Sequence, residues 1–327
     1  MSVVIDSPDW TSQQANLDQS GIVTWLAANP YPGTIYVAGC TVYEGTIYVA
    51  GGVYNGVQSN QVRYCKLNTD GTMGAWQVAN NLPVTLQETT AAVFNEFLYI
   101  LGGVHAGAQV ATVYKAPIHD DGSLGAWTVD NPLLAVLSDG VAICINNFIY
   151  YFGGYEIGVG SLNCFYAPIN IDGTIGTWMG TSPLPAWRAY QGVVTYANRV
   201  YIVGGLGNSP SGATQYASAV LSASLTYDGT LSAWASVTSL PEAKASSICV
   251  IDQGTIYVAG GDDNTHDVAA VFRAPINNDG TINQWQQATD LPKAVSGAMG
   301  ASWNGVIYCI GGATALGNIS DVIYAIV

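Results

Sequence analysis

Charge is what this chain has least of. Only 9% of its 327 residues are charged, and eight Lys and Arg stand against 22 Asp and Glu, a formal net charge of −14. A surface so short of cations repels phosphate backbones and anionic lipid, so nucleic acid is not expected as a partner. No run of 18 apolar residues occurs, so no membrane insertion is expected. The opening MSVVIDSPDW has neither a basic segment nor a long apolar core, and no classical signal peptide is expected there. Paired cysteines are also missing. Cys40, Cys65, Cys144, Cys164, Cys249 and Cys309 form no CxxC motif and fall in strand-like runs, where they read as small buried side chains. Their spacing leaves a disulfide open. Histidine is limited to His105, His119 and His266.

What is plentiful is glycine and aromatic side chains, with 38 Gly, 20 Tyr and nine Trp. These suit short strands and tight turns. Gly-Gly falls at 51–52, 102–103, 153–154, 204–205, 260–261 and 311–312, each time after an apolar run such as IYVA or LYIL. Trp25, Trp76, Trp127, Trp178, Trp234 and Trp285 keep step with these pairs. Asp-Gly recurs at 70–71, 121–122, 172–173, 228–229 and 279–280, and Leu-Pro at 82–83, 184–185, 240–241 and 291–292. Four strand signals in a period near fifty residues mark a propeller blade.

The strands of each blade can be placed on this grid. Strand A is Thr90–Phe94 and its equivalents Gly39–Tyr43, Val141–Ile145, Gly192–Tyr196, Ile248–Asp252 and Gly300–Asn304, and it should line the central channel. Strand B is the Tyr-containing run that ends in Gly-Gly. Strand C is Val113–Pro117 and its equivalents, and an Asp-Gly turn leads to strand D, where the Trp is expected to be buried in the seam between blades. Residues 17–327 make five repeats of 51 and one of 56. Residues 17–33 supply the fourth strand of a blade whose first three strands lie at the other end of the chain, so the ring should close on a shared last blade. That avoids bare strand edges at the joint. Residues 1–16 match no repeat and form a separate arm, whose Val3, Val4, Ile5 and Trp10 allow it to dock on its own propeller or on a neighbouring subunit.

Strand–Gly-Gly followed by Trp, six times over residues 17–327, resembles the kelch-like β-propellers. The resemblance implies an all-β, six-bladed kelch-like propeller. Two features depart from the family pattern. A longer turn, as in Asp70–Trp76, replaces a Tyr shortly before the Trp, and only Arg188 stands where an Arg often precedes strand A. Such folds host enzymes, sugar-binding modules and adaptors, so the fold does not choose among them.

The B–C and D–A connections share one face, and the B–C connections vary most, so binding residues are expected there. The candidates are Trp187, Arg188 and Tyr190 in one D–A loop, with His105, Tyr155, Glu156 and His266 in B–C loops. Trp and Tyr stack on sugars or anchor protein interfaces. Asp262, Asp263 and Asp267 are weak candidates for a hard cation, because they lack calcium-loop spacing and read first as a solvated acidic loop. No cofactor is expected. A galactose-oxidase-like copper site would need two His and two Tyr, which nothing here singles out. A sialate-mutarotase-like site would need Arg and Glu to converge, but Arg188, Glu88, Glu156 and Glu242 are expected to lie apart. The leading expectation is a non-catalytic structural or binding module on an outer surface, extracellular or on a virion. It would be a capsid- or tail-associated protein or a secreted adhesin, engaging protein partners or glycan, or self-assembling through its arm. The competing expectation is a carbohydrate-active enzyme at the channel mouth.

Overall fold

The computed structural model describes residues 24–208 and 213–327, which contain strands and turns but no helix. The arm, residues 1–16, lies outside the described residues. Six antiparallel sheets of four strands each form the blades. Blade 1 comprises Gly39–Tyr43, Thr46–Ala50, Val62–Lys66 and Gln77–Val78 as strands A to D, and blades 2 to 5 repeat the order. Each strand A lies beside the strands A of its two neighbours, which builds the wall of the channel. The A–B links are two-residue turns with positive φ at both positions, as at Asn95 and Glu96 (φ 44 and 62), the geometry that matches strand twist. In the last blade this turn is Asn304-Gly305, so strand A runs Met299–Trp303, one residue earlier than the sequence suggests.

Closure follows the repeat arithmetic. Leu26–Ala27 pairs with Val322–Ile326, placing Leu26 opposite Tyr324 and Ala27 opposite Ile323. Ala28 and Tyr31 extend the joint by donating their amides to Val322 and Ser320 at 2.8 and 2.9 Å. The sixth blade is therefore built from both ends of the described chain.

The apolar core is not central but is divided among the seams. Tyr99, Leu101 and Val113 of blade 2 pack on Ala142, Ile149 and Phe165 of blade 3, and each of the other five seams has its own cluster. Three polar devices recur at the seams. At the outer side, the Trp indole donates to a linker carbonyl of the preceding blade, as Trp127 Nε1 does to Asn80 O at 2.7 Å. In return, Asn80 Nδ2 donates to Leu124 O and Gly125 O at 2.9 and 3.1 Å, so the two blades hold one another reciprocally. At the lower side of five seams among the described residues, the strand-B tyrosine donates to the glycine carbonyl of the next blade's Asp-Gly turn, as Tyr99 does to Gly173 at 2.7 Å. Tyr308 repeats this across the closing joint, donating to Gly71 at 2.8 Å.

The third device explains the Gly-Gly pairs. Gly103 donates its amide to Leu137 O at 2.7 Å, and a Cβ on Gly102 would sit 2.5 Å from that oxygen. The next linker passes too close to the end of strand B for any side chain, and both glycines have positive φ.

The repeat Trp residues sit immediately before strand D rather than within it. Of the six, Trp178 is buried and the others are half-buried, because the indole edge reaches the rim of the ring. All six cysteines are free, so no disulfide staples the blades.

Candidate functional site

The upper mouth of the channel is built on backbone. Just before strand A, six equivalent residues adopt positive φ: Val37, Glu88, Asp139, Tyr190, Ser246 and Gly297, with φ between 48° and 59°. The amide of each donates to the carbonyl of its counterpart in the preceding linker. Glu88 bonds Val37 at 3.0 Å, Asp139 bonds Glu88 at 3.1 Å, Tyr190 bonds Asp139 at 2.9 Å, and Val37 closes the circle on Gly297 at 3.1 Å. This collar rims a cavity of about 450 Å³, whose wall carries no charged side chain. Above it, the B–C connections are not irregular loops. Five fold as small hairpins, such as Tyr155–Glu156 with Val159–Gly160, and their first strand bridges the adjoining linker, as Ser138 does with Tyr155.

The collar brings Glu88, Asp139 and Tyr190 side by side. Burial, followed by the negative charge of Glu88, holds the Asp139 carboxyl well above the usual carboxylate range. Ser138 Oγ donates to Asp139 Oδ2 at 2.7 Å and offsets part of this. Burial, then Asp139 and Glu88, raise Tyr190 and keep its phenol protonated. The Tyr155 ring bridges Tyr190 and Trp187, with centroids 6.0 and 5.7 Å away. Trp187 lies flat over blade 3, since a Cβ on Gly160 would meet its ring at 2.1 Å.

Other candidates lie elsewhere. Arg188 is only 7% exposed, and its Nη1 donates to Trp187 O at 3.0 Å. It occupies the linker position held by Ile35, Leu86, Leu137 and Val295 in other blades, which places it in a seam rather than on the surface. Glu156 turns back to accept from Asn163 at 3.1 Å, and Glu242 lies 3.8 Å from Lys244. His105 Nδ1 lies 2.9 Å from Thr85 O, and the exposed His266 contacts Thr265 and Asp263 in its own loop. Asp263 spends its carboxylate on the amides of Thr265 and His266, and Asp262 accepts from Asn264. Among the described residues no group of three or more His, Cys, Asp or Glu side chains is arranged to hold a metal ion.

Asp139 gives a pH prediction. Its folded pKa lies above the unfolded value, so its contribution is most favourable below about pH 4 and is lost as pH rises through the folded value. Asp139→Asn is expected to raise stability relative to wild type by about 1–2 kcal/mol at pH 8 and by much less at pH 4. Thermal melts at the two pH values check this, and a pH-independent difference would count against a buried, opposed carboxyl. The Asp-Gly turns act in the other direction. Hydroxyl and amide bonds from Thr72, Ser123, Thr174 and Thr281 lower the carboxyls of Asp70, Asp121, Asp172 and Asp279, and the Thr226 hydroxyl followed by Thr230 lowers that of Asp228. Their contribution is present above about pH 4 and is lost on acidification.

No family model matches the chain. Among curated proteins it is similar to Kelch-like protein terF of Aspergillus terreus (strain NIH 2624 / FGSC A1156), 25% identical over 263 residues that cover 75% of this chain and 53% of that protein. It is 27% identical to Kelch-like protein 40a of Danio rerio over 195 residues, 60% of this chain and 28% of that protein. It is 24% identical to Beta-scruin of Limulus polyphemus over 203 residues, 58% of this chain and 20% of that protein. The chain thus matches about half the length of the first of these relatives and under a third of the other two. Among solved structures, that of YjhT superposes with a TM-score of 0.70 at 15% identity, covering 90% of this chain and 95% of that one. The fold is that of a kelch-like β-propeller.

Proposed function

We propose that this propeller is a non-catalytic binding module that captures a protein partner on its upper face, beside blade 3. The observation that carries this reading is an exposed apolar ridge on the blade 3 hairpin. Ile157 is 80% exposed and Val159 69%, next to the Trp187–Tyr155–Tyr190 cluster. Aromatic anchors rimmed by exposed apolar side chains are the usual chemistry of protein interfaces. The likeness to kelch-repeat proteins supports a protein-binding propeller module. The low charge and the Gly- and Tyr-rich composition support an outer-surface setting, in a virion or as an adhesin.

Placing a photo-crosslinking residue at Ile157, with a control at the still more exposed Tyr227 on the opposite face, tests the reading. A recurrent adduct from position 157 that is absent from 227 and is lost in Val159→Asp supports it. Adducts of equal yield from both faces overturn it.

The proximity of Glu88 to Asp139 favours a second reading, a carbohydrate-active enzyme that uses the pair for proton transfer. Steady turnover of a free sugar, abolished by Asp139→Asn, would establish it in place of the binding role.

A further inference from the structure

We infer that the channel mouth is a receptor for one cationic side chain, a lysine or arginine, of the docked partner. This rests on the protein-binding reading above and names the chemistry that its central contact would recognise.

The mouth holds two carboxyls that meet only neutral donors, Glu88 accepting from Gln87 Nε2 at 3.0 Å and Asp139 from Ser138 Oγ at 2.7 Å. Glu88 and Asp139 stand on consecutive collar positions, so their separation is set by backbone hydrogen bonds and not by side-chain choice. No Lys, Arg or His pairs with either among the described residues. The ion pairs are Lys115–Asp130, Lys244–Glu242, His266–Asp263 and Lys293–Asp321. Arg188, although close in sequence, is turned into the seam against Gly207 and Trp187 O. Two amide side chains add further unmet acceptors. Gln191, 5% exposed and lining the cavity next to Tyr190, donates to Phe152 O at 2.8 Å but leaves a buried Oε1 without a donor. Gln109 bridges Ser138 Oγ and Tyr155 O through its Nε2 at 2.9 and 3.1 Å and likewise leaves Oε1 unpartnered.

A ligand that satisfies this rim must bring donors and positive charge. An anion is repelled, and a neutral hydroxyl brings one donor together with two acceptor lone pairs. An ammonium brings three donors and a guanidinium five, with no acceptor. Tyr190 and Tyr155, with centroids 6.0 Å apart and both near Asp139, add aromatic rings to which a cation is attracted. The formal charge of −14 draws such a group toward the protein.

The test is to titrate the intact protein with N-acetyl-arginine amide and N-acetyl-lysine amide, following backbone amide resonances. The neutral isostere N-acetyl-citrulline amide and D-galactose serve as controls. The expected result is saturable perturbation of the Glu88, Asp139 and Tyr190 amides by the two cations, with at least tenfold weaker effects from citrulline amide and galactose. Glu88→Gln with Asp139→Asn should weaken the cations at least tenfold. Should that variant misfold, raising the salt concentration tenfold on wild type must weaken the cations and leave citrulline amide unchanged. Equal binding of citrulline amide, preferential binding of galactose, or salt-insensitive cation binding overturns the inference. If position 157 still crosslinks specifically while the mouth ignores cations, this inference fails and the docking reading stands.

Discussion

Deleting residues 1–30 is expected to unfold the ring rather than trim it. The deletion removes far more than the two ladder residues Leu26 and Ala27. Trp25 leaves, and with it the donation from Nε1 to Thr289 O at 3.0 Å that ties blade 6 to blade 5. Asn29 leaves too, and its Nδ2 donates to Met73 O and Gly74 O of blade 1, both at 3.0 Å, while its carbonyl accepts from Trp76. One short segment therefore serves the closing blade and both of its neighbours. Without it, strand Val322–Ile326 becomes a bare edge at the joint. A loss of more than about 5 kcal/mol, comparable to the whole stability of many domains, is expected. Loss of the cooperative melt and appearance of aggregates are the readouts. Appending residues 17–30 after Val327 in the deleted chain should restore folding, because that is where the repeat frame puts them. Unchanged melting of the deleted chain, or failure of the appended strand to rescue it, would contradict the shared blade.

The second large effect is at Trp178. It is 4% exposed, packs in the seam cluster between blades 2 and 3, and donates to Asn131 O at 3.0 Å. Trp178→Ala removes a buried aromatic and orphans a carbonyl, so a loss of about 3–5 kcal/mol is expected. Trp127 makes the same bond to Asn80 but is half-buried, and the same substitution there should cost about half as much. Denaturant titrations of the two variants check the ordering. Equal losses would mean that the shared bond, and not burial, sets the contribution.

Much of the fold is legible because the repeat is regular. Gly-Gly, Trp and Asp-Gly each mark a fixed point of the blade, and strands A of five blades fall where that grid puts them. Side-chain exposure is less legible, since a Trp before an outermost strand has solvent on one side whatever its partners. The mouth is the hardest to read. Asp139 stands in Ser138-Asp139-Gly140, which reads as an ordinary turn, and its neighbour Glu88 lies a full repeat away. Only stacking equivalent positions across all repeats brings the two together. The same stacking would reveal Arg188 as a seam residue, because four of its counterparts are aliphatic. It would also reveal the polar residue four after each Trp (Asn29, Asn80, Asn131, Ser182, Thr238, Thr289) as a linker that faces the next blade.

The collar has one more consequence, for how such a protein can change. Its six hydrogen bonds use only amides and carbonyls, and the residues that carry them are as different as Val37, Glu88, Tyr190 and Gly297. What the ring asks of each position is a left-handed backbone, and that costs a non-glycine residue about 1 kcal/mol or somewhat more whatever its side chain. Chemistry at the mouth is thereby uncoupled from the integrity of the scaffold. A lineage of such proteins could exchange acid for base or aromatic for aliphatic at these six places and acquire new partners without having to relearn how to fold.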